Sequence, residues 1–312
     1  MGQEIGDPAY VARASAMYGE SLVRAGDFAQ AREHSALALA SPHTSEQRLA
    51  QSLLFGNDNE TLGGGIAALA TWFLGYPDRA AEQMHKVLTG ARQAGHPFSL
   101  VLALYWSATL HWLRRETLAG RVMARDLLEV AQGHAFPLFA AAAVIEDGWA
   151  LAASDPRAGI ERIREGIALC DTADLNMPWT GAHAALAEAF SRAGDPGPGL
   201  SAIAEGITLV KQTGVGQWEA ELYRLRGELL ALAEADAGQV EECFQSALQV
   251  ARRQQARSLE LRAAVGLARF WQRQGRLDDA RRLLQPLYAW FSEGFDTADL
   301  SDARTLLEAL GA

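Results

Sequence analysis

The feature of this sequence that most restricts its fold is a pattern that recurs seven times, at intervals of about 40 residues. Each copy ends at a small or aliphatic residue, here called the anchor. A turn position lies five residues before each anchor. The intervals between anchors are nearly equal, except for a longer first one. A fixed period of this length is typical of repeat proteins, in which each unit packs mainly on its neighbours. The anchors are Ala31, Ala80, Gly120, Gly159, Gly199, Val240 and Ala280, and the turn positions are Gly26, Gly75, Arg115, Ser154, Gly194, Ala235 and Gly275.

The composition favours helices throughout. Of the 312 residues, 49% are hydrophobic and only 10 are proline. The most frequent residues include alanine, leucine, glutamate and arginine, which lose little side-chain entropy in a helix. We find no alternating pattern that would indicate a strand, and the sequence therefore predicts an all-α protein.

Charge and cysteine content exclude several classes of protein. A net charge of −10 disfavours binding to nucleic acid or to an anionic membrane. Cys170 and Cys243 lie in different units, without the close spacing of a disulfide framework or zinc site, which favours a reducing cytoplasm.

Residues 1–7 lack the basic and apolar segments of a secretory signal. The longest apolar runs, Ile66–Leu74 and Leu138–Ile145, are too short to cross a bilayer.

Each unit has the pattern of two helices joined by a tight turn. In the last unit, apolar residues recur at helical spacing on both sides of Gly275, which suits the left-handed conformation that ends a helix. The small anchor Ala280 would let the two helices approach closely. We expect one domain, a right-handed α-solenoid of about seven hairpins, with units at about residues 9–41, 61–94, 98–132, 138–174, 179–213, 218–255 and 259–293.

Glycine and proline mark the boundaries between units. In Gly95–Phe98, Gly133–Pro137 and residues 176–179, proline is well placed to open the next helix, and in the first two a glycine is well placed to end the preceding one. We expect the aromatic residue beside each proline to fill the space between units. The histidines at these boundaries are interpreted as polar boundary residues rather than as ligands.

Two segments depart from the repeat. The long first interval contains an insertion at about residues 42–65 that ends in Gly63-Gly64-Gly65, and this density of glycine predicts a mobile loop. At the other end, Gly294–Leu300 interrupts the pattern, and Asp296 or Thr297 is expected to cap a final helix at about residues 297–310. That helix would cover the apolar edge of the stack.

The pattern resembles tetratricopeptide-type repeats, because a glycine turn is followed by a small anchor and small residues lie in the middle of the first helix. The usual period of such repeats is shorter, at about 34 residues. The longer unit resembles the superhelical sensor region of maltose-activator-type transcription regulators. Five stretches are also similar to the C-terminal helical-repeat region of large bacterial signalling proteins, which join an adenylate or guanylate cyclase, a kinase or a DNA-binding domain to an ATPase module and then to repeats. A HEAT-like array shares the period but gives no reason for the glycine and alanine positions. The five stretches are Phe55–Asp58, Trp72–Asp78, Gly95–Leu100, Glu219–Leu230 and Gly294–Leu300.

The sequence contains no motif of a known catalytic site. It has no Gly-x-x-x-x-Gly-Lys-Ser/Thr phosphate-binding loop, no His-Glu-x-x-His and no Gly-x-Ser-x-Gly. Gly194–Gly199 is rich in glycine, but its prolines remove amide donors, and we interpret it as a hairpin turn. We therefore expect no catalytic residues, no metal site and no cofactor.

The candidate binding residues lie on the first helices of successive units, which line the concave side of such solenoids. An aromatic group in units two and three is followed by a charged group further along the chain, and together they could hold a peptide or a sugar-like ligand. The alternative is that the aromatic residues mainly fill gaps between helices. The candidates are Trp72, Phe73, Tyr105, Thr109, Trp112, Glu188, Arg192, Glu228, Arg262, Arg269 and Arg273.

Charge is unevenly distributed near the C-terminus. Residues 250–282 contain nine arginines against three acidic residues, whereas residues 219–242 contain seven acidic residues against two arginines. Either adjacent units compensate each other, or an anionic partner docks on the C-terminal third.

These observations favour a cytoplasmic, non-catalytic interaction and sensing domain. We expect it to bind a protein, a peptide or a small ligand in its groove, and to have neither a nucleic acid nor a membrane as partner. The alternative is a separated or truncated regulatory tail of a cyclase, kinase or transcription activator with an ATPase module, and an enzyme in its own right is the least favoured hypothesis. The uncapped first hairpin near Tyr10 offers a surface on which a second molecule could stack.

Overall fold

The computed structural model describes residues 8–40, 44–172 and 179–311. Within these ranges the chain forms sixteen helices and no strand. The helices are α1 (Pro8–Ala25), α2 (Phe28–Ala38), α3 (Ser45–Phe55), α4 (Asn59–Phe73), α5 (Pro77–Ala94), α6 (Pro97–Leu113), α7 (Thr117–Gly133), α8 (Pro137–Leu151), α9 (Pro156–Thr172), α10 (Thr180–Ala193), α11 (Pro196–Thr213), α12 (Glu219–Leu232), α13 (Ala237–Arg253), α14 (Arg257–Arg273), α15 (Leu277–Trp290) and α16 (Ala298–Ala309).

Fourteen of these helices form seven hairpins, from α1–α2 to α14–α15. The additional helices are α3, between the first two hairpins, and α16, after the last. Each hairpin packs on the next one along the chain, and the helices bury two hydrophobic clusters, both of which contact Tyr223. This arrangement confirms the expected α-solenoid.

All seven anchors are buried. At Gly159 a Cβ atom would lie 2.5 Å from the Cβ of Ala152, the C-cap residue of the preceding helix, which is far too close. The small anchor therefore permits the close approach of the two helices of a hairpin, as the sequence predicts.

Five of the seven turn positions are left-handed, including Arg115 with a φ of 61°. In the sixth hairpin the left-handed residue is Glu234, one position earlier than expected, and Ser154 is not left-handed. The prediction of a left-handed turn position therefore holds for the glycines and Arg115, while the other two hairpins are connected by different turns.

The prediction of a loop at residues 42–65 was wrong for the described residues 44–65, while residues 42 and 43 lie outside the described part of the chain. Residues 45–55 form α3, which begins with a capping box at Thr44 and Gln47. Helix α4 begins at Asn59, capped by Asp58, and continues through the three glycines without interruption.

The three glycines of α4 are explained by packing rather than by flexibility. A Cβ atom at Gly64 would lie 2.6 Å from Val87, and one at Gly65 would lie 2.1 Å from the indole of Trp106. Because glycine has no side chain, α4 can lie in contact with neighbouring helices on more than one side. Burial and these close contacts offset the low helix propensity of glycine.

The unit boundaries follow the expected pattern where they are described. Pro97 and Pro137 lie at the start of α6 and α8, and Gly95 is a left-handed C-cap. Phe98 packs edge-to-face on Phe136, with ring centroids 5.4 Å apart. The aromatic residues therefore fill the space between units, while residues 176–178 lie outside the described ranges.

Helix α16 covers the end of the stack. It packs on α14 and α15 and buries Leu300, Leu306 and Leu307. Thr297 is the N-cap residue, but its hydroxyl donates to the carbonyl of Gly294 at 2.6 Å instead of capping the helix. The expected capping helix is present, without the expected side-chain cap.

The stack curves so strongly that the last hairpin meets the second. Ser258 donates to the backbone carbonyl of Trp72 at 2.6 Å, and the guanidinium of Arg262 lies 5.0 Å from the centre of the Trp72 ring. The carboxylate of Asp78 accepts a hydrogen bond from the backbone N–H of Gly294 at 2.8 Å. We call this set of contacts the ring closure, and it encloses the concave side.

Candidate functional site

The cavities that the described residues form on the concave side include two with distinct linings. The larger has a volume of about 250 Å³ and is called the aromatic cavity; the smaller, of about 180 Å³, is called the charged cavity. Trp112 lines both. The two cavities are therefore neighbours along the interior of the solenoid.

The aromatic cavity takes its name from seven rings. Trp112 stacks on Trp218 with centroids 4.4 Å apart, and Tyr105 packs edge-to-face on Phe139 at 5.8 Å. These rings come from α6, α8 and the segments just before α10 and α12, so the curvature of the solenoid brings them together. The seven are Phe98, Tyr105, Trp106, Trp112, Phe139, Trp179 and Trp218.

Helix α1 supplies a polar wall of the same cavity. The guanidinium of Arg13 donates to the side chain of Asn57 and, at 3.3 Å, to the carbonyl of Phe55. Arg24 pairs with Glu20 at 3.1 Å, one helical turn away. Both arginines at this wall are thus already engaged by partners within the protein.

Glu146 is a buried carboxyl group on α8 that lines the aromatic cavity and is 4% exposed. Thr109 donates a hydrogen bond to its Oε1 atom at 2.7 Å. Burial raises the pKa of Glu146 to about 8, against the smaller lowering effect of that hydrogen bond. The carboxyl group is therefore mostly protonated at neutral pH.

Among the described residues, three polar side-chain atoms in the wall of the aromatic cavity are buried without a hydrogen-bond partner. They are Oε2 of Glu146, Nε1 of Trp179 and Oγ1 of Thr180. Buried polar groups in native proteins are nearly always hydrogen-bonded, so three in one cavity wall are unusual. They indicate a site whose hydrogen bonds are completed by something other than the described side chains.

The charged cavity is lined by an ion-pair network of five arginines and five acidic residues. Burial alone would raise the pKa of Glu221, but Arg224 and Arg262 lower it to about 2. Glu221 therefore remains ionised and fixes the network at its centre. The arginines are Arg115, Arg192, Arg224, Arg262 and Arg269, and the acidic residues are Glu188, Glu221, Glu228, Asp299 and Asp302.

The charged cavity also joins distant parts of the chain. Arg262 of α14 pairs with Asp299 of α16 at 2.7 Å, and Arg115, between α6 and α7, pairs with Asp302 of α16 at 2.8 Å. Through these ion pairs, the ring closure includes the third hairpin and the capping helix α16 as well as the second and last hairpins.

The structure distributes the residues expected from the sequence over four places: the aromatic cavity, the core, the exposed surface and the charged cavity. Tyr105, Thr109 and Trp112 line the aromatic cavity, while Trp72 and Phe73, each 2% exposed, belong to the core. Arg273 is exposed and lines neither cavity. The charged cavity contains Glu188, Arg192, Glu228, Arg262 and Arg269.

The sequence reasoning missed Glu146, Trp179, Thr180 and Trp218. Glu146 had a detectable signal, because the two adjacent acids Glu146 and Asp147, within an otherwise apolar stretch of α8, indicate buried carboxyl groups. Trp179 and Trp218 lie just outside helices, where periodicity gives no information about the direction of a side chain.

The uneven charge of the C-terminal third is compensated between neighbouring units. Arg276, just before α15, pairs with Glu241 of α13 at 2.8 Å, and Arg262 of α14 lies 3.8 Å from Glu221 of α12. These pairs favour the compensation between units over a docking surface for an anionic partner.

In the described ranges, no three histidine, cysteine, aspartate or glutamate side chains are grouped so that they could hold a metal ion. None of the helices in those ranges is long and apolar enough to span a membrane.

Comparison with known sequences gives a distant relative and no family assignment. No family model matches the chain. The uncharacterized protein R02095 of Rhizobium meliloti (strain 1021) is 25% identical over 213 residues, which cover 67% of this chain and 20% of that protein. The chain thus spans about a fifth of the length of this curated relative.

Comparison with solved structures establishes the fold. A Rap protein in complex with Competence and Sporulation Factor superimposes with a TM-score of 0.63 at 10% identity, covering 96% of this chain and 80% of that chain. The apo form of RapI has a TM-score of 0.55 at 10% identity, covering 96% and 99%. A signal transduction ATPase with a tetratricopeptide repeat sensor, PH0952 of Pyrococcus horikoshii, has a TM-score of 0.47 at 11% identity, covering 91% and 46%. The fold is the expected tetratricopeptide-like helical repeat.

Proposed function

We propose that this chain is a non-catalytic sensing domain of a bacterial cytoplasmic signalling protein, which takes up a small ligand or a short protein segment inside its solenoid. The observation that carries this proposal is the enclosed aromatic cavity with three unpartnered polar atoms among the described residues of its wall. Of the residues expected from the sequence, Tyr105, Thr109 and Trp112 are assigned to contact with the ligand.

The energetics of the aromatic cavity support a bound ligand. Protein interiors are close-packed, and a buried polar group without a partner costs about 1–3 kcal/mol. A ligand that fills the cavity and completes these hydrogen bonds would recover that free energy on binding. The cavity, at about 250 Å³, is close to the lower end of the range for small-molecule sites, roughly 300–1,000 Å³.

The fold is compatible with this function. The Rap protein, whose fold is similar, was solved in complex with Competence and Sporulation Factor. By analogy, ligand uptake by this chain would bias the output of a linked or separate signalling domain.

A thermal-shift screen tests the proposal. A ligand present at a hundred times its dissociation constant stabilises the folded protein by about 2.7 kcal/mol, which raises the melting temperature measurably. The screen uses sugars, nucleotides, uncharged and charged aromatic compounds, and pooled peptides. If no compound shifts the melting temperature of the purified chain, the proposal fails.

A matched pair of variants locates the site of any ligand found in the screen. Trp179→Phe removes an unpartnered indole N–H in the aromatic cavity but retains an aromatic ring. Trp271→Phe removes another unpartnered, buried indole N–H that lines neither cavity. We expect the first variant to weaken binding at least tenfold and the second to leave it unchanged; equal effects would place the ligand elsewhere.

The second candidate function is the regulatory region of a longer signalling protein, such as a cyclase, a kinase or a transcription activator with an ATPase module. It is favoured by the relative from Rhizobium meliloti, of which this chain covers only 20%. The test is to read the genome upstream of the Met1 codon. A cyclase, kinase or ATPase domain in frame or in the adjacent gene supports this candidate, and unrelated neighbouring genes oppose it.

A further inference from the structure

The charged side chains at the wall of the aromatic cavity already have partners among the described residues. Arg24 pairs with Glu20, whereas Arg13 donates to the neutral side chain of Asn57 and is attracted by the carboxylates of Glu20 and Asp58. Glu146 is buried and mostly neutral at pH 7. A cation would meet two arginines, and an anion would have to compete with Glu20 and Asp58 for Arg13, so a charged ligand would lose its hydration for little compensation.

The unpartnered atoms of the wall are mainly hydrogen-bond donors. Thr109 donates to Oε1 of Glu146, so the proton of the neutral carboxyl group is placed on Oε2, which has no partner. Nε1 of Trp179 is a donor only. The hydroxyl of Thr180 can donate or accept. Two unpartnered donors require two acceptors on the ligand.

The walls favour a flat ligand of limited size. Seven aromatic rings line a volume of about 250 Å³, equal to that of about eight water molecules at roughly 30 Å³ each. Aromatic rings bind other rings by offset or edge-to-face stacking. A sugar of this size carries several hydroxyl groups, more than three unpartnered polar atoms can satisfy, and would leave polar groups buried without partners.

From these three observations we propose that the ligand of the aromatic cavity is an uncharged, planar aromatic molecule with two hydrogen-bond acceptors. A fused nitrogen heterocycle or an aromatic carbonyl compound of two rings has this chemistry. Its acceptors bind Oε2–H of Glu146 and Nε1–H of Trp179, and its rings lie among the rings of the wall. This inference rests on the proposed function and specifies the class of ligand.

The hydrogen bond from Glu146 makes binding dependent on pH. Ionisation of Glu146 would turn the donor Oε2–H into an acceptor and leave the acceptor of the ligand unpaired. Among the described residues of the helices packed on α8, Arg121 of α7 and Arg162 of α9 pair with Asp147, and His183 of α10 lies 3.8 Å from Glu205. The remaining ionisable groups that line the cavity are Tyr105 of α6 and Arg13, Glu20 and Arg24 of α1. Burial raises the pKa of Tyr105 to about 12.

The experiment compares probes of matched shape by tryptophan fluorescence quenching and calorimetry on the full chain. Quinoxaline and naphthalene have the same two fused rings, but only quinoxaline has two acceptor nitrogens; coumarin is an aromatic carbonyl compound, and 2-naphthoate is an anion. We expect quinoxaline and coumarin to bind at least tenfold more tightly than naphthalene and 2-naphthoate. Glu146→Gln, which keeps a neutral donor, should retain binding, whereas Glu146→Leu and Trp179→Phe should each weaken it at least tenfold.

The pH dependence provides an independent readout. Raising the pH from about 7 to about 9.5 should weaken the binding of quinoxaline to the wild-type protein at least tenfold and should leave its binding to Glu146→Gln unchanged. Equal affinities for quinoxaline and naphthalene would overturn the inference. So would a screen in which only anions, sugars or peptides bind, although the proposed function would then stand. If nothing binds in either experiment, both are wrong.

Discussion

At the scale of single residues, Glu146 is a carboxyl group whose environment differs strongly from that of an exposed glutamate. Burial raises its pKa to about 8 from an ordinary value of 4.5, and only Thr109 donates to it among the described residues. The unfolded chain therefore releases this proton at lower pH than the folded protein does. Between these two pKa values the folded state binds more protons, so its stability falls as the pH rises.

This linkage predicts the effect of Glu146→Gln on stability. In the wild-type protein, Glu146 should lower the free energy of unfolding by about 3 kcal/mol between pH 4.5 and pH 7, and further up to about pH 8. Glutamine cannot ionise, so the variant should lose this decline and be more stable than the wild-type protein at pH 7. Urea denaturation at pH 5 and pH 8 measures the difference.

The control is Glu161→Gln, which changes an exposed glutamate on α9. It should leave the difference between the two pH values as it is in the wild-type protein. A decline in Glu146→Gln as steep as that of the wild-type protein would show that Glu146 is ionised in the folded state.

At the scale of elements, helix α4 shows how packing can override local propensity. Three consecutive glycines would normally weaken a helix by about 1 kcal/mol each relative to alanine. In α4 they are buried, and the side chains of Val87 and Trp106 occupy the space that the Cβ atoms at Gly64 and Gly65 would need. The helix is thus stabilised by its neighbours rather than by its own sequence.

Gly65→Ala should therefore destabilise the protein, although alanine is the better helix former. The new Cβ atom would lie 2.1 Å from the indole of Trp106, so Trp106 or the helix must move. We expect a loss of about 1–3 kcal/mol, typical of an overpacked core. Because Trp106 lines the aromatic cavity, ligand affinity should fall as well. Thermal unfolding and ligand titration measure the two effects.

Gly197→Ala is the matched control, because Gly197 is an exposed helical glycine of α11 and an added methyl group would meet nothing within 4 Å. It should be neutral or stabilising by up to about 1 kcal/mol. If both variants had the same effect, the close approach of Trp106 would not be the reason for glycine at position 65.

The same helix shows where sequence reasoning succeeds and where it stops. The anchors and most of the turns follow from local steric rules, and their spacing was enough to predict the hairpins, as at Gly159 and Ala280. The glycines of α4 could not be interpreted without knowing the position of Trp106, which belongs to the first helix of the next hairpin. The candidate residues behaved in the same way: periodicity placed Tyr105 and Thr109 on the inner face, but the pairing of Thr109 with Glu146 depends on how the third and fourth hairpins pack on each other.

At the scale of the whole molecule, the curvature of the solenoid is fixed by the ring closure and by the ion pairs of the charged cavity. Arg262 is at the centre of both, because it lies over Trp72, donates to the carbonyl of Leu113 and pairs with Asp299 at 2.7 Å. Its side chain is only 9% exposed and that of Asp299 only 11%. Removing one partner of such a buried pair leaves the other charge uncompensated, which costs about 3–5 kcal/mol.

Asp299→Asn should therefore weaken the contact between the last hairpin and the second and third. We expect a loss of about 3 kcal/mol of stability and a larger radius of gyration in small-angle X-ray scattering, because the ends of the solenoid separate. The control, Asp278→Asn, changes an aspartate whose side chain is 80% exposed and whose partner Arg281 lies 3.6 Å away; exposed pairs of this kind contribute about 0–1 kcal/mol. If Asp299→Asn leaves the radius of gyration unchanged and loses no more stability than the control, packing alone holds the ring closed. If the ring does open, the aromatic cavity loses its enclosure, and ligand affinity should fall together with the rise in radius.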